Sequence, residues 1–323
     1  MCGKKRASFP TALSKLYLSS EDNLLAKQLL LCRDKEICTR VLFPMPIDKH
    51  SLTPLQQRMR YASYDEIVLS PHLDDAVLSC GGALDVWQQQ GKRLLIVTAF
   101  AGSDPGPYSA LAEFYHHLWN MPDQDPYVIR REEEAQAMNV LGTDYLWMST
   151  KEILYRIPGL VSTKDICNAS IPAEEDPIYQ DLCVWLAELQ QSFPVARFFV
   201  PLALGSHRDH ILIRQAADEV LDPHKVLFYE DFPYAAFATE QLHTLTTSHR
   251  LQCEEIDITA ALGQRIQATL QYRSQLPMLC RPPKRIEDYI EQYTRKENES
   301  RYVERYWRAT AQSVPFARRK GTD

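Results

Sequence analysis

From residue 65 onward the chain alternates short, uninterrupted apolar runs with longer amphipathic stretches, a rhythm that predicts βαβ units around a parallel sheet. Residues 66–70 read as a buried strand, Asp74 to Gly91 as a turn and helix, and Arg93 to Phe100 as the next strand, joined by a right-handed crossover. A helix from about Val128 to Leu141 stops at Gly142, well suited to a helix C-cap, and Tyr145 to Met148 follows as a third strand. Lys151 to Pro177 loses periodicity and gathers Pro, Gly, Ser and Asp, so it reads as an excursion over the active-site face. A helix over Ile178–Ser192, a strand over Arg197–Leu202, a helix over Ile211–Leu221 and a strand over Val226–Tyr229 restore the rhythm. Ala260–Leu276 and Ile286–Arg308 read as amphipathic helices suited to covering the domain or forming a homo-oligomer. Residues 1–60 read as a helical N-terminal extension, in which Ser20-Glu21-Asp22 caps the apolar run Leu24–Leu31, and Pro44 and Pro46 interrupt the helix beyond it. The expectation is an α/β fold: a Rossmann-like, mostly parallel sheet with helices on both faces and C-terminal helices, all within a single domain over residues 61–323.

Composition narrows the class. The chain has 323 residues, enough to bury a sizeable core. With 45% hydrophobic and 24% charged residues it is neither wholly disordered nor fibrous. No apolar run reaches the roughly 18 residues of a membrane-spanning helix. No apolar h-region precedes Glu21 and Asp22 either, which argues against a secretory signal and makes a cytoplasmic location the expectation. The eight cysteines are scattered without a CxxC, as reduced, mostly buried thiols would be. Net charge is −6, yet residues 1–60 hold 11 Lys/Arg against 5 Asp/Glu. Those basic residues are dispersed and lack interleaved aromatics, so no nucleic-acid partner is expected.

Two motifs carry chemistry. Pro71-His72-Leu73-Asp74-Asp75 stands where the first strand ends, and His207-Arg208-Asp209-His210 where a later strand ends. In open α/β sheets the ligand crevice lies beyond the carboxyl ends of the strands, so the two should converge there. A catalytic zinc takes about three protein ligands and keeps a position open for water; His72, Asp75 and His210 supply such a set. Iron, cobalt or manganese would suit the same donors. The i,i+3 spacing turns His72 and Asp75 to one side, leaving Asp74 to act as a general base toward water. His207 is the natural donor to a developing oxyanion. Asp209 could accept a hydrogen bond from one histidine and fix its tautomer. Bland roles stand beside these: a lone HxxD or HxxH is often a surface pair or a core histidine, and Asp74 and Asp209 each suit a helix N-cap.

The stretch SPHLDDAVLSCGGAL, the later GSHRDH and the intervening residues Arg130–Ala135 with Leu141-Gly142 resemble the PIG-L/LmbE-like family of zinc-dependent N-acetylglucosaminyl deacetylases. The resemblance covers about residues 65–235. It implies the same roles: His72, Asp75 and His210 on zinc, Asp74 as base, His207 on the oxyanion. It also implies a substrate-contacting arginine at Arg130, with Arg131 as rival, and a sugar-facing loop containing Gly102, Ser103 and Asp104. Leu73, Ala76 and Arg208 depart from the family's PHPDDE and HPDH patterns without removing a ligand.

The leading expectation is therefore metal-dependent removal of an N-acyl group, acetyl first, from an amino sugar or glycoconjugate. The alternatives are an amidase for a non-sugar metabolite on the same metal site, and a non-catalytic Rossmann-like binding protein. Against the last, Cys80-Gly81-Gly82 is no GxGxxG, and carboxylates at the first turn would repel a pyrophosphate. The segment Tyr229–Tyr234 could add two acids and aromatic faces to the pocket, or serve as a structural turn.

Overall fold

The computed structural model describes residues 54–121, 125–168, 172–280 and 284–313. Most of the helical extension expected over 1–60 lies outside these residues. Its last part differs from expectation, because Pro54–Arg58 forms strand β1, paired antiparallel with β4 (Asp144–Met148) at the sheet edge.

Short apolar runs become strands buried on both faces, as parallel sheets demand. β2 (Glu66–Ser70), β3 (Leu94–Thr98), β4, β5 (Arg197–Pro201) and β6 (Val226–Tyr229) run parallel. With the antiparallel strands β8 (Val303–Arg308) and, at the edge, β7 (Gln252–Asp257), the order is β1-β4-β3-β2-β5-β6-β8-β7. The chain winds outward from β2 through β3 to β4, then returns to β5 on the other side of β2. That reversal makes the β2/β5 boundary the switch point at which a crevice opens.

Helices α1 (Asp75–Gln89), α2 (Ala110–Leu118), α3 (Pro126–Leu141), α4 (Tyr179–Ser192), α5 (Arg208–Val220), α6 (Thr239–Ser248), α7 (Leu262–Thr269) and α8 (Ile286–Thr294) complete the fold. α1, α3 and α7 pack on one another, as do α4 and α5, giving the two helical layers of a doubly wound sheet. Local chemistry sets the ends of α3: the Asp125 side chain accepts from Tyr127 N, Pro126 opens the helix, and Gly142 closes it at φ 66°.

The C-terminal expectation needs correction. Ala260–Leu276 is helical only over Leu262–Thr269, and Val303–Arg308 is a strand rather than the end of a helix. Packing decides this. Glu304 is buried, accepting from Gly82 N and Ala83 N at 2.8 Å each and from Arg265 at 2.9 Å. A Cβ on Gly82 would come within 2.8 Å of Glu304 and Ile258, so the glycine is what lets this edge approach α1. Among the described residues no helix is long and apolar enough to cross a membrane.

Candidate active site

β2 ends in a braced turn: Ser70 Oγ donates to His72 O at 2.7 Å and accepts from Ala76 N at 3.0 Å. β5 runs through a short turn at Leu204–Ser206 into α5, with His207 at its N-cap and His210 in its first turn. Because β2 and β5 are neighbours, residues separated by 135 positions meet. The His72 ring lies 4.7 Å from that of His207 and 5.3 Å from that of His210. Asp75 Oδ2 stands between two imidazoles, 3.1 Å from His72 Nδ1 and 3.3 Å from His210 Nε2. The far nitrogen of each of these rings meets a carboxylate: His72 Nε2 is 3.1 Å from Asp209 Oδ2, and His210 Nδ1 is 2.7 Å from Asp231 Oδ1. One nitrogen from each of His72, His207 and His210 also falls within 4.8 Å of the others, a grouping able to hold a metal ion. All are buried in the crevice that the topology predicts.

Asp74 occupies the N-cap position of α1 without capping it through its side chain. Its side chain makes no capping hydrogen bond, and its backbone is held at φ 143°, a region that disfavours a side chain. Such strain costs about 1–3 kcal/mol and persists where the surroundings over-determine it, as they do at functional sites. Its carboxylate lines the cleft with Arg130 Nη2 3.9 Å away.

Burial and the neighbouring Asp75 charge raise the Asp74 pKa, with the Arg130 guanidinium opposing. Burial pushes Asp75 upward as well, but the His210 and His72 imidazoles outweigh it and hold that carboxyl well below the usual range. The adjacent carboxylates thus differ: one is poised to carry a proton and the other stays anionic. Burial, then the His72 and His210 charges, keep His207 neutral.

Asp209 sits at the centre of a buried network. It accepts from Ile153 N at 2.9 Å and Arg156 at 2.8 Å as well as facing His72, and Arg156 in turn reaches Asp176 at 3.2 Å. Burial alone would raise its pKa, but Arg156 and His72 lower it. Arg130 is wedged against the rings of Trp119 and Tyr127, at 5.0 and 5.2 Å, and pairs with Glu152 at 3.3 Å. Its rival Arg131 turns away, donating to Ala101 O at 2.7 Å and Ser103 Oγ at 3.0 Å. Ser103 and Asp104 are not brought to the cleft: Gly102 N is strapped to Thr150 O at 2.9 Å, and Asp104 is tied to Lys151 at 2.7 Å. Of the two acids after β6, Asp231 backs His210. Glu230 points elsewhere, accepting from Trp307 Nε1 at 2.9 Å and Arg305 at 3.1 Å.

Sequence reasoning missed Glu152. It accepts from Tyr127 and pairs with Arg130 in the cleft wall, but it lies in the aperiodic stretch after β4, where no spacing singles it out. The cleft above these groups has a volume of about 780 Å³.

Comparison with known proteins agrees with this geometry. Residues 67–221, which run from β2 through α5 and hold both motif loops, match the PIG-L family, described as GlcNAc-PI de-N-acetylase. The chain is 27% identical over 239 residues to 2'-N-acetylparomamine deacetylase of Streptomyces fradiae, spanning 70% of this chain and 78% of that protein. Its fold is similar to that of teicoplanin deacetylase in a zinc-inhibited form, with a TM-score of 0.67 and 27% identity over 75% of this chain and 97% of the other. It is also similar to the A40926 pseudoaglycone deacetylase, with a TM-score of 0.62 and 26% identity over 79% and 99% of the two chains. A switch-point crevice, two motif loops and a buried cluster of imidazoles and carboxylates thus coincide with the matched span: residues 67–221 are a PIG-L family domain, and the chain is a zinc-dependent deacetylase.

Proposed function

We propose that this deacetylase removes the acetyl group from the nitrogen of an amino sugar within a glycosylated natural product or other glycoconjugate, with His72, Asp75 and His210 holding the zinc. The observation that carries the ligand assignment is the pair of carboxylate-backed imidazoles with Asp75 between them. Donors about 2.0–2.1 Å from a tetrahedral zinc stand roughly 3.3 Å apart, and Asp75 Oδ2 lies 3.1 and 3.3 Å from the two ring nitrogens. With their other nitrogens donating to Asp209 and Asp231, His72 Nδ1 and His210 Nε2 would give up their protons and turn lone pairs toward an ion held beside Asp75. His207 differs: its Nδ1 accepts from Asp209 N at 3.3 Å, so the neutral ring carries its proton on Nε2 and offers a donor rather than a lone pair.

When bound, zinc supplies a Lewis acid that polarises the acyl carbonyl and makes water acidic near neutral pH. Asp74 takes the proton from the attacking water and returns it to the departing amine nitrogen. His207 donates to the oxygen on which negative charge develops. Asp209 holds the His72 ring in its tautomer, with Arg156 keeping Asp209 ionised. Arg130 steadies the Asp74 carboxylate and faces the substrate from the cleft wall. The amino-sugar substrate is supported by the relatives, whose names specify 2'-N-acetylparomamine and teicoplanin. We place the reaction in the cytoplasm, a reading supported by the free state of the cysteines among the described residues.

The test is acetate release from N-acetylglucosaminides by the zinc-loaded protein and by Asp74→Asn. Release by the parent, and a variant that keeps about one metal ion while losing most turnover, is the expected result. Near-full turnover by the variant removes Asp74 from the role of base.

A further inference from the structure

Every Asp, Glu, His, Lys or Arg among the described residues lining the cleft belongs to its floor: His72, Asp74, Asp75, Arg130, Glu152 and His207, each more than nine-tenths buried. Glu152 is already committed to Arg130 and Tyr127. The walls above carry no carboxylate among the described residues. Beside the neutral polar groups of Tyr115, Thr163 and Tyr289 they present large apolar side chains open to solvent: Phe114 is 53% exposed, Leu118 40%, Phe237 73% and Met278 41%. Phe114 and Leu118 stand one turn apart on the same face of α2, and Phe237 meets the ring of Tyr289 at 6.2 Å. Large exposed apolar side chains elsewhere among the described residues, such as Val184 and Val195, do not line this cleft. Exposed apolar side chains gathered at the mouth of one cleft with a polar floor mark a binding surface rather than scattered surface residues.

We infer that the collar of Phe114, Leu118, Phe237 and Met278 is an aglycone subsite, and that the preferred substrate is an N-acetylated amino sugar bearing a large, uncharged apolar group. The inference rests on the deacetylation reading and narrows its substrate class. The occupant is set by continuity: the collar opens directly onto the floor, so whatever is attached to a sugar at the floor must leave across these side chains. A polycationic amino glycoside would find no free carboxylate among the described residues of the walls to receive its ammonium groups. An alkyl or aryl group instead removes exposed apolar surface on both partners from water.

The measurement is kcat/KM of the zinc-loaded full chain on the methyl, hexyl and phenyl glycosides of N-acetylglucosamine and on 2'-N-acetylparomamine. The hexyl and phenyl compounds should exceed the methyl glycoside by about 10-fold or more, chiefly through KM, as burial of several methylenes implies. In Phe237→Ser and Met278→Ser the hexyl-to-methyl ratio should fall toward 1. Because both positions are exposed, these variants should fold, and circular dichroism checks that they have. Equal rates on methyl and hexyl glycosides, or a preference for the polycationic compound, overturn the aglycone subsite while leaving deacetylation standing. A Phe237→Ser variant that changes the sedimentation coefficient but not the ratio reassigns the collar to contact between copies of the chain, and overturns it too. No acetate from any of the four compounds overturns the deacetylation reading and this inference with it.

Discussion

At the floor of the cleft His72 and Asp75, with His210 just beneath, are almost wholly buried, and the ring nitrogens facing away from the cluster are backed by Asp209 and Asp231. At its mouth, Phe114, Leu118, Phe237 and Met278 lie open to solvent on α2 and on segments outside the sheet. The floor is assembled from strand ends and helix starts whose positions are locked by the sheet. The mouth belongs to connecting segments and a peripheral helix. The difference teaches where each kind of demand is met: reacting groups need fixed geometry and low dielectric, which the core supplies, whereas selectivity for an attached group needs shape and apolar area, which surface segments supply.

The sharpest way to break the floor is Asp74→Asn. Loss of general-base catalysis should lower kcat by about 10²–10⁴-fold with metal content unchanged, measured by acetate release and elemental analysis. Next comes Arg130→Met, which leaves Glu152 buried without its cation. Breaking a buried pair in this way costs about 3–5 kcal/mol, and a urea unfolding midpoint unchanged from the parent would show that Glu152 does not depend on Arg130. Asp231→Asn should weaken zinc about 10–100-fold by loosening the tautomer and orientation of His210, read by competition against a chelator.

The smallest effect concerns Glu134, behind the floor on α3. It accepts from Tyr272 through one oxygen, and its other oxygen has no hydrogen-bond partner among the described residues. Burial raises its pKa from an ordinary 4.5 to about 8. The native state therefore keeps a proton that the unfolded chain releases. The resulting stability is complete below about pH 4.5 and is lost as pH rises toward and through 8. Glu134→Gln should flatten that decline, so parent and variant unfolding midpoints compared at pH 5, 7 and 9 should diverge most at pH 9. Parallel pH profiles would mean that Glu134 is not the group responsible.

The same contrast separates what can be read along the chain from what cannot. Residues 66–70 and 94–98 declare themselves as strands because a continuous apolar run admits few other environments. The two motifs expose their chemistry because histidines and aspartates cluster at strand ends. Glu152 stays hidden because its pairing with Arg130 depends on an irregular segment folding back over the crevice. Ser103 and Asp104, expected at the sugar, are instead held by Arg131 and Lys151, partners that no local spacing announces. Val303–Arg308 reads as helical in isolation. It becomes a strand because β6 offers an open edge and α1 presents Gly82 to Glu304.

What the sequence by itself determined is the inventory: parallel strands, crossover helices, two donor-rich loops and the identities of the groups within them. These depend on interactions within a few residues, whether apolar periodicity, caps or turn chemistry. Which carboxylate backs which imidazole, which arginine faces the cleft, and where an apolar collar gathers were decided only by the tertiary structure. Each of those pairings joins elements far apart in the chain, and their direction is set when the sheet order reverses between β2 and β5 and the helices pack against it.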